Sequence, residues 1–171
     1  MTNPLTSLTA SIKGKVLIVD DIPENLKVLS KTLQQEGFQV RAVTSGRMAL
    51  RVVHSAKPDI ILLDIKMPEM DGYEVCKYLK SNPETQSIPV IFLSALDEVL
   101  DKVLAFEVGG VDYITKPFQF QEVLARVHNQ LQLRAAQAEV ERLNANLEKR
   151  VIQRTAQLEQ EIVKRQRIQE E

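Results

Sequence analysis

The stretch Lys15-Val16-Leu17-Ile18-Val19-Asp20-Asp21 sets an unbroken aliphatic run directly before two carboxylates. A run that is apolar at every position, rather than every second one, reads as a strand covered on both faces. The chain repeats the pattern, with further strand-like runs at 38–43, 60–64, 90–94 and 111–115 after the first at 15–20. Between the runs the apolar residues take up helical spacing. Ile22, Leu26, Leu29 and Leu33 follow the first, with Pro23 suited to a first helical turn and Gly37 to a stop. The same reasoning predicts helices over 45–56, 71–81 and 97–108, and a fifth from Gln119 onward. Strict alternation of strand and helix implies right-handed crossovers and a doubly wound, five-stranded parallel sheet of the α/β class.

Composition narrows the function classes. The 22 Lys and Arg nearly cancel 23 Asp and Glu, for a net charge of -1 over 171 residues. Nucleic acid and anionic membrane surfaces call for a clustered cationic excess, so neither is expected as a direct partner. No apolar run approaches the roughly 18 residues of a membrane span, and the N-terminus lacks the basic-then-apolar order of a leader. Cys76 is the sole cysteine and cannot close an internal disulfide; with two histidines it cannot build a Cys/His zinc site either. A cytoplasmic protein is expected.

All 7 Pro, all 6 Gly and every Phe and Tyr lie at or before Phe120. Three segments follow from this: a flexible lead-in over 1–13, a globular domain over 14–133, and a charged helix over 134–171 with 8 Lys/Arg against 7 Glu.

Ligands of open parallel sheets bind beyond the carboxyl ends of the strands, where the strand order reverses. Asp20 and Asp21 end the first strand, Asp64 the third and Ser94 the fourth, and Lys116 follows the fifth. With strand order 2-1-3-4-5, the first and third strands are neighbours, and three carboxylates meet. Such crowding is costly unless a cation neutralises it, and a hard, oxygen-seeking ion such as Mg²⁺ suits it best. Each Asp alone could simply cap the following helix. Two adjacent carboxylates exceed what one cap uses, and Asp64, Ser94 and Lys116 at matching strand ends point to a Mg²⁺ and phosphoryl site. Two chemistries remain open on these residues: Asp64 as a phosphoacceptor, or Asp64 as the nucleophile of a metal-assisted hydrolase.

Four ordered motifs carry a closer likeness: Val19-Asp20-Asp21, Leu62-Leu-Asp64-Ile-Lys66-Met-Pro68-Glu-Met-Asp71-Gly72, Leu93-Ser94-Ala95, and Gly110-Val-Asp112-Tyr113-Ile-Thr-Lys116-Pro117-Phe118. Over about 14–133 the chain resembles the receiver domain of two-component response regulators, a flavodoxin-like fold. The resemblance implies that Asp64 accepts a phosphoryl group from a sensor histidine kinase or phosphotransfer protein. It implies Mg²⁺ bound directly by Asp21, Asp64 and the backbone carbonyl of Lys66, with Asp20 acting through water. Ser94 would bond the phosphoryl oxygen and Lys116 would pair with it. Tyr113 would be the switch aromatic, and the bond before Pro117 would be cis. The domain would thus be a phosphoacceptor and not itself an enzyme. Cys76 reads as a buried structural thiol, and His54 and His128 receive no role.

The fifth helix has no stop signal. Its far part repeats at eleven residues, with Val140, Val151 and Ile162 in one set, Leu147 and Leu158 in another, Ile152 and Val163 in a third. That is a coiled-coil stripe of non-heptad period, for which a parallel homodimer is expected. Residues 147–167 resemble the connector helices that precede sensor, histidine kinase or nucleotide cyclase domains. An output domain beyond Glu171 is therefore expected, with the coil relaying receiver state to it. The alternative is a stand-alone phosphoryl carrier or partner-binding protein whose coil serves only assembly.

Overall fold

The computed structural model describes residues 13–95 and 99–169, the backbone alone at 99–101. The elements in chain order are β1 (Lys15–Val19), α1 (Pro23–Gln35), β2 (Gln39–Val43), α2 (Gly46–Ala56), β3 (Ile60–Asp64), α3 (Gly72–Ser81), β4 (Val90–Ser94), α4 (Val99–Glu107), β5 (Asp112–Thr115) and α5 (Phe120–Gln169). The five strands form one sheet in the order β2-β1-β3-β4-β5, all pairs parallel. This is the doubly wound fold expected from the alternation. Two compact units divide the chain, one ending at Leu131 and one beginning at Gln132.

Alternate residues of each strand feed opposite faces, the period-two rule of a pleated strand. Val16, Ile18, Ile60, Leu62, Ile91 and Leu93 join Leu26, Leu29 and Leu33 of α1 and Val123 and Val127 of α5. Leu17, Val19, Ile61, Leu63, Val90 and Phe92 turn the other way, toward Ala49 and Val53 of α2, Val75, Cys76 and Leu79 of α3, and Ala105 of α4. Buried on both faces, β3 and β4 have no exposed residue, which is why their sequences show no polar alternation.

Element edges differ from the sequence reading by a residue or so. Asp20 lies beyond β1, because its side chain serves the turn into α1: Oδ1 accepts the N–H of Ile22 at 2.9 Å. Phe38 closes α1 instead of opening β2, donating its N–H to Leu33 at 3.1 Å. Lys13, placed in the lead-in, donates its N–H to Gly37 at 3.1 Å. The rest of the lead-in, and Asp97, from which the sequence reading counts the fourth helix, lie outside the described residues. Cys76 is fully buried, donates to the Val108 carbonyl at 3.4 Å, and has its thiol pushed up to about 11 by burial, so it is inert at neutral pH.

In the second unit α5 runs to Gln169 with no break. Its large aliphatic side chains stand in water, with Val140 55%, Val151 63% and Ile162 55% exposed. Ion pairs Arg142–Glu139 and Arg165–Glu161 decorate the helix surface. Among the described residues no helix is long and apolar enough to cross a membrane.

Candidate functional site

β1 and β3 are hydrogen-bonded neighbours, so the residues just past Val19 and at Asp64 emerge side by side at the carboxyl edge of the sheet. One carboxylate oxygen from each of Asp20, Asp21 and Asp64 falls within 4.8 Å of the others. β5 ends two strands away, and Lys116 reaches back into the cluster, its Nζ 2.9 Å from Asp20 Oδ2 and 3.2 Å from Asp64 Oδ1. The backbone N–H of Lys116 donates to the Ser94 carbonyl, and the peptide joining Lys116 to Pro117 is cis. Ser94 is buried at the end of β4, the strand beside Asp64.

The three carboxylates are not equivalent. Asp20 has no exposed surface, and protein donors hold both its oxygens: the Ile22 N–H on Oδ1, and Lys116 Nζ and Asn25 Nδ2 (3.1 Å) on Oδ2. Asp21 differs, because its Oδ1 is buried without a hydrogen-bond partner. A buried carboxylate oxygen left so is costly, and one aimed into an acidic cluster is the position a cation fills. Burial pushes the Asp64 carboxyl up from its ordinary 3.8 to about 6; the Lys116 ammonium opposes the rise, while Asp20 and Asp21 add to it. For Lys116 burial disfavours the charged form, yet its bonds to Asp20 and Asp64 together outweigh burial and raise its pKa. The site therefore holds a lysine whose charged form is favoured beside a carboxyl pushed up to about 6.

The loop from β3 to α3 folds back onto the backbone at the end of β3. Gly72 donates its N–H to Ile65 at 2.8 Å, and a Cβ at this position would collide with the Asp64 carbonyl oxygen. Only glycine permits that approach. Asp71 then caps α3 in a reciprocal box, accepting from the Glu74 N–H while Glu74 accepts from the Asp71 N–H, both at 2.9 Å. Lys66, whose carbonyl the resemblance assigns to the metal, is exposed at the start of this loop.

Tyr113 stands apart from the acidic cluster. It is half-buried on β5, on the sheet face opposite Ile114, and meets α4: the Phe106 ring edge-on at 6.3 Å and Lys102 Nζ over the ring at 4.8 Å. Next to Tyr113 in the strand but on the Ile114 face, Asp112 pairs with Arg126 of α5 at 2.7 Å, and Arg126 also pairs with Glu122 one turn back on α5 at 3.0 Å; the sequence does not reveal the first pair, because its partners lie 14 residues apart on different elements. The sequence does not point to Asn25 either. Its cue is an amide at the third position of the helix that follows an acidic pair. His54 pairs with exposed Glu84, and His128 packs against Phe38 with the rings tilted; among the described residues neither histidine belongs to the acidic cluster.

Residues 16–128 match the family model of the response regulator receiver domain. The chain is 41% identical over 144 residues to the "Probable cyclic di-GMP phosphodiesterase" of Vibrio cholerae, covering 84% of this chain and 32% of that protein. That span is too long to fit before Leu133, so the likeness reaches into the charged helix. Response regulator PleD of Caulobacter vibrioides is 40% identical over 118 residues, 69% of this chain and 26% of PleD. Among solved structures, the receiver domain of a signal transduction histidine kinase from Syntrophus aciditrophicus superposes with a TM-score of 0.65 at 39% identity, covering 70% of this chain and 90% of the other. The chain thus spans about a third or less of the two curated relatives it matches here.

Proposed function

The chain belongs to the response regulator receiver domain family, and from that membership together with the site geometry we propose that Asp64 is the phosphoacceptor of a Mg²⁺-dependent transfer from a histidine kinase or phosphotransfer protein. The observation that carries the reading is the pairing of an orphaned, buried Asp21 oxygen with an Asp64 carboxylate held at 3.2 Å from Lys116. An all-oxygen donor set of three carboxylates fits a hard divalent ion. Asp21 and Asp64, with the carbonyl of Lys66, would hold Mg²⁺, and Asp20, whose oxygens are already occupied by protein donors, would act through water. When bound, the ion supplies charge neutralisation for the phosphoryl oxygens.

The protein's own groups do the rest. Asp64 attacks phosphorus in line, forming a P–O bond as the P–N bond of the donor phosphohistidine breaks. Lys116 is placed to follow the charge onto the phosphoryl oxygens, and Ser94 to donate its hydroxyl to one of them. Little acid or base chemistry is needed, so positioning and charge dominate. Recruitment of Ser94 would free space for Tyr113 to leave Phe106 and Lys102 and turn inward, altering the face formed by α4, β5 and α5.

The domain assignment is a receiver over 14–133 and a signalling helix over 134–171. The exposed stripe of Val140, Leu143, Leu147, Val151, Leu158 and Ile162 fits a second copy of the same helix, which gives a homodimer. The dimer would relay receiver state to an output domain; the relative named as a cyclic di-GMP phosphodiesterase, about three times the length of the matched segment, supports an arrangement in which a receiver is one part of a longer chain. The test is mass spectrometry after acetyl phosphate and Mg²⁺. A single phosphoryl adduct is expected on Asp64 and none on Asp64→Asn; undiminished labelling of that variant would overturn the assignment. Repeated turnover of phosphomonoesters would instead favour a hydrolase.

A further inference from the structure

We propose that Asn25 is a positioning residue of the phosphoryl site, keeping the buried Asp20 carboxylate hydrogen-bonded while Lys116 turns from Asp20 to the group on Asp64. The inference rests on the reading of Asp64 as acceptor and Lys116 as its cation. Asp20 Oδ2 accepts from two side chains at once, Lys116 Nζ at 2.9 Å and Asn25 Nδ2 at 3.1 Å. Lys116 Nζ is slightly farther from Asp64, at 3.2 Å. In this arrangement the ammonium belongs more to Asp20 than to the acceptor.

Phosphorylation adds charge and three acceptor oxygens at Asp64 and draws the ammonium toward them. If Lys116 were the only donor to Oδ2, that movement would strip a hydrogen bond from a carboxylate with no exposed surface. The amide removes this obstacle. It is neutral, so it adds no charge to the cluster, and it is fixed by the first turn of α1, where the Asn25 N–H donates to Ile22 at 3.1 Å and the next residue, Leu26, is buried in the core. Asn25 and Lys116 also border one open depression of about 470 Å³, with Ala95, Pro117 and Phe118. An amide that merely secured the start of α1 would affect stability without affecting how Lys116 responds.

The experiment uses the full chain, with Mg²⁺ affinity measured by calorimetry and Mg²⁺-dependent beryllofluoride affinity by fluorine NMR. Asn25→Ala is expected to weaken beryllofluoride about tenfold, the worth of one hydrogen bond to a charged group, while Mg²⁺ affinity changes less than about twofold on the same scale. Asn25→Leu keeps the volume and removes the donor, so it should reproduce the loss, and Asn25→Gln should recover part of it. In a Lys116→Ala background the Asn25 substitution should add nothing, because the two act through one oxygen. Additive losses in the two backgrounds, equal losses of Mg²⁺ and beryllofluoride, or wild-type affinity in both Asn25→Ala and Asn25→Leu would each overturn the proposal. No occupancy of the wild-type chain would sink the site reading itself, and this inference with it.

Discussion

At the scale of single residues the site is a balance of unlike environments imposed on like groups. Asp20 is saturated by donors, Asp21 is left with an open oxygen, and Asp64 is pushed up to about 6 by burial. The raised Asp64 value fixes the sign of a stability effect. A carboxyl whose folded pKa lies above its ordinary 3.8 favours the fold below that pH and loses the contribution as pH rises through about 6. At pH 7 and without divalent cations, Asp64→Asn should therefore be more stable than the wild type by about 1–3 kcal/mol, and the gain should vanish near pH 4. Urea unfolding at both pH values measures it, and an equal gain at both would show that ionisation is not its cause. Lys116→Ala should leave Mg²⁺ binding in place but slow labelling by acetyl phosphate by about 10²-fold, since it removes the charge paired with the transferred group rather than a metal ligand. Kinetics followed by mass spectrometry separate the two. The strand-end carboxylates and the lysine were legible in the sequence because a parallel sheet brings strand ends to one edge whatever lies between. Asn25 was not, because an amide on the first turn of a helix has many ordinary uses and only its distance to Asp20 gives it one here.

At the scale of elements, β3 and β4 were legible to the residue, since double burial leaves no polar position to blur them; the end of β1 and the start of β2 were not, since Asp20 and Phe38 are taken by turn hydrogen bonds that compete with the ladder. The face of α4, β5 and α5 was the least legible part. Tyr113 could be named from a motif, but its neighbours Phe106 and Lys102 come from another element, and Phe106 is half-exposed. The turn from β3 to α3 offers the sharpest test of how an element holds the site. Asp71→Ala removes a capping box on the surface and should cost about 1 kcal/mol with labelling of Asp64 intact. Gly72→Ala drives a methyl group against the Asp64 carbonyl and should cost about 2–4 kcal/mol, with labelling slowed as Asp64 shifts. If both variants lose stability alike and label alike, the loop is a connection and not a support.

At the scale of the whole molecule, a balanced, charged helix with a repeating aliphatic stripe gains nothing from standing alone in water, and a second copy is the partner that presents the same stripe at the same spacing. Light scattering should find a dimer for the full chain and a monomer after truncation at Leu133; the same mass per particle in both would move the dimer contact elsewhere. What phosphorylation then changes follows from continuity. Asp112, adjacent to Tyr113 on β5, is paired with Arg126 of α5, and α5 has no break between there and Gln169. A flexible linker would dissipate a local rearrangement, whereas a helix transmits rotation or a small change of register. The eleven-residue period of Val140, Val151 and Ile162 adds a second device, because a stripe that departs from the heptad can pair in two arrangements of similar energy. A coupling of about 1–3 kcal/mol is enough to favour one over the other. Spin labels at Gln137 and Gln153, both exposed, should therefore report different interhelix distances with and without beryllofluoride while the coil stays associated. Identical distributions at both positions in a fully occupied sample would refute the relay and leave the coil as a tether between two receivers.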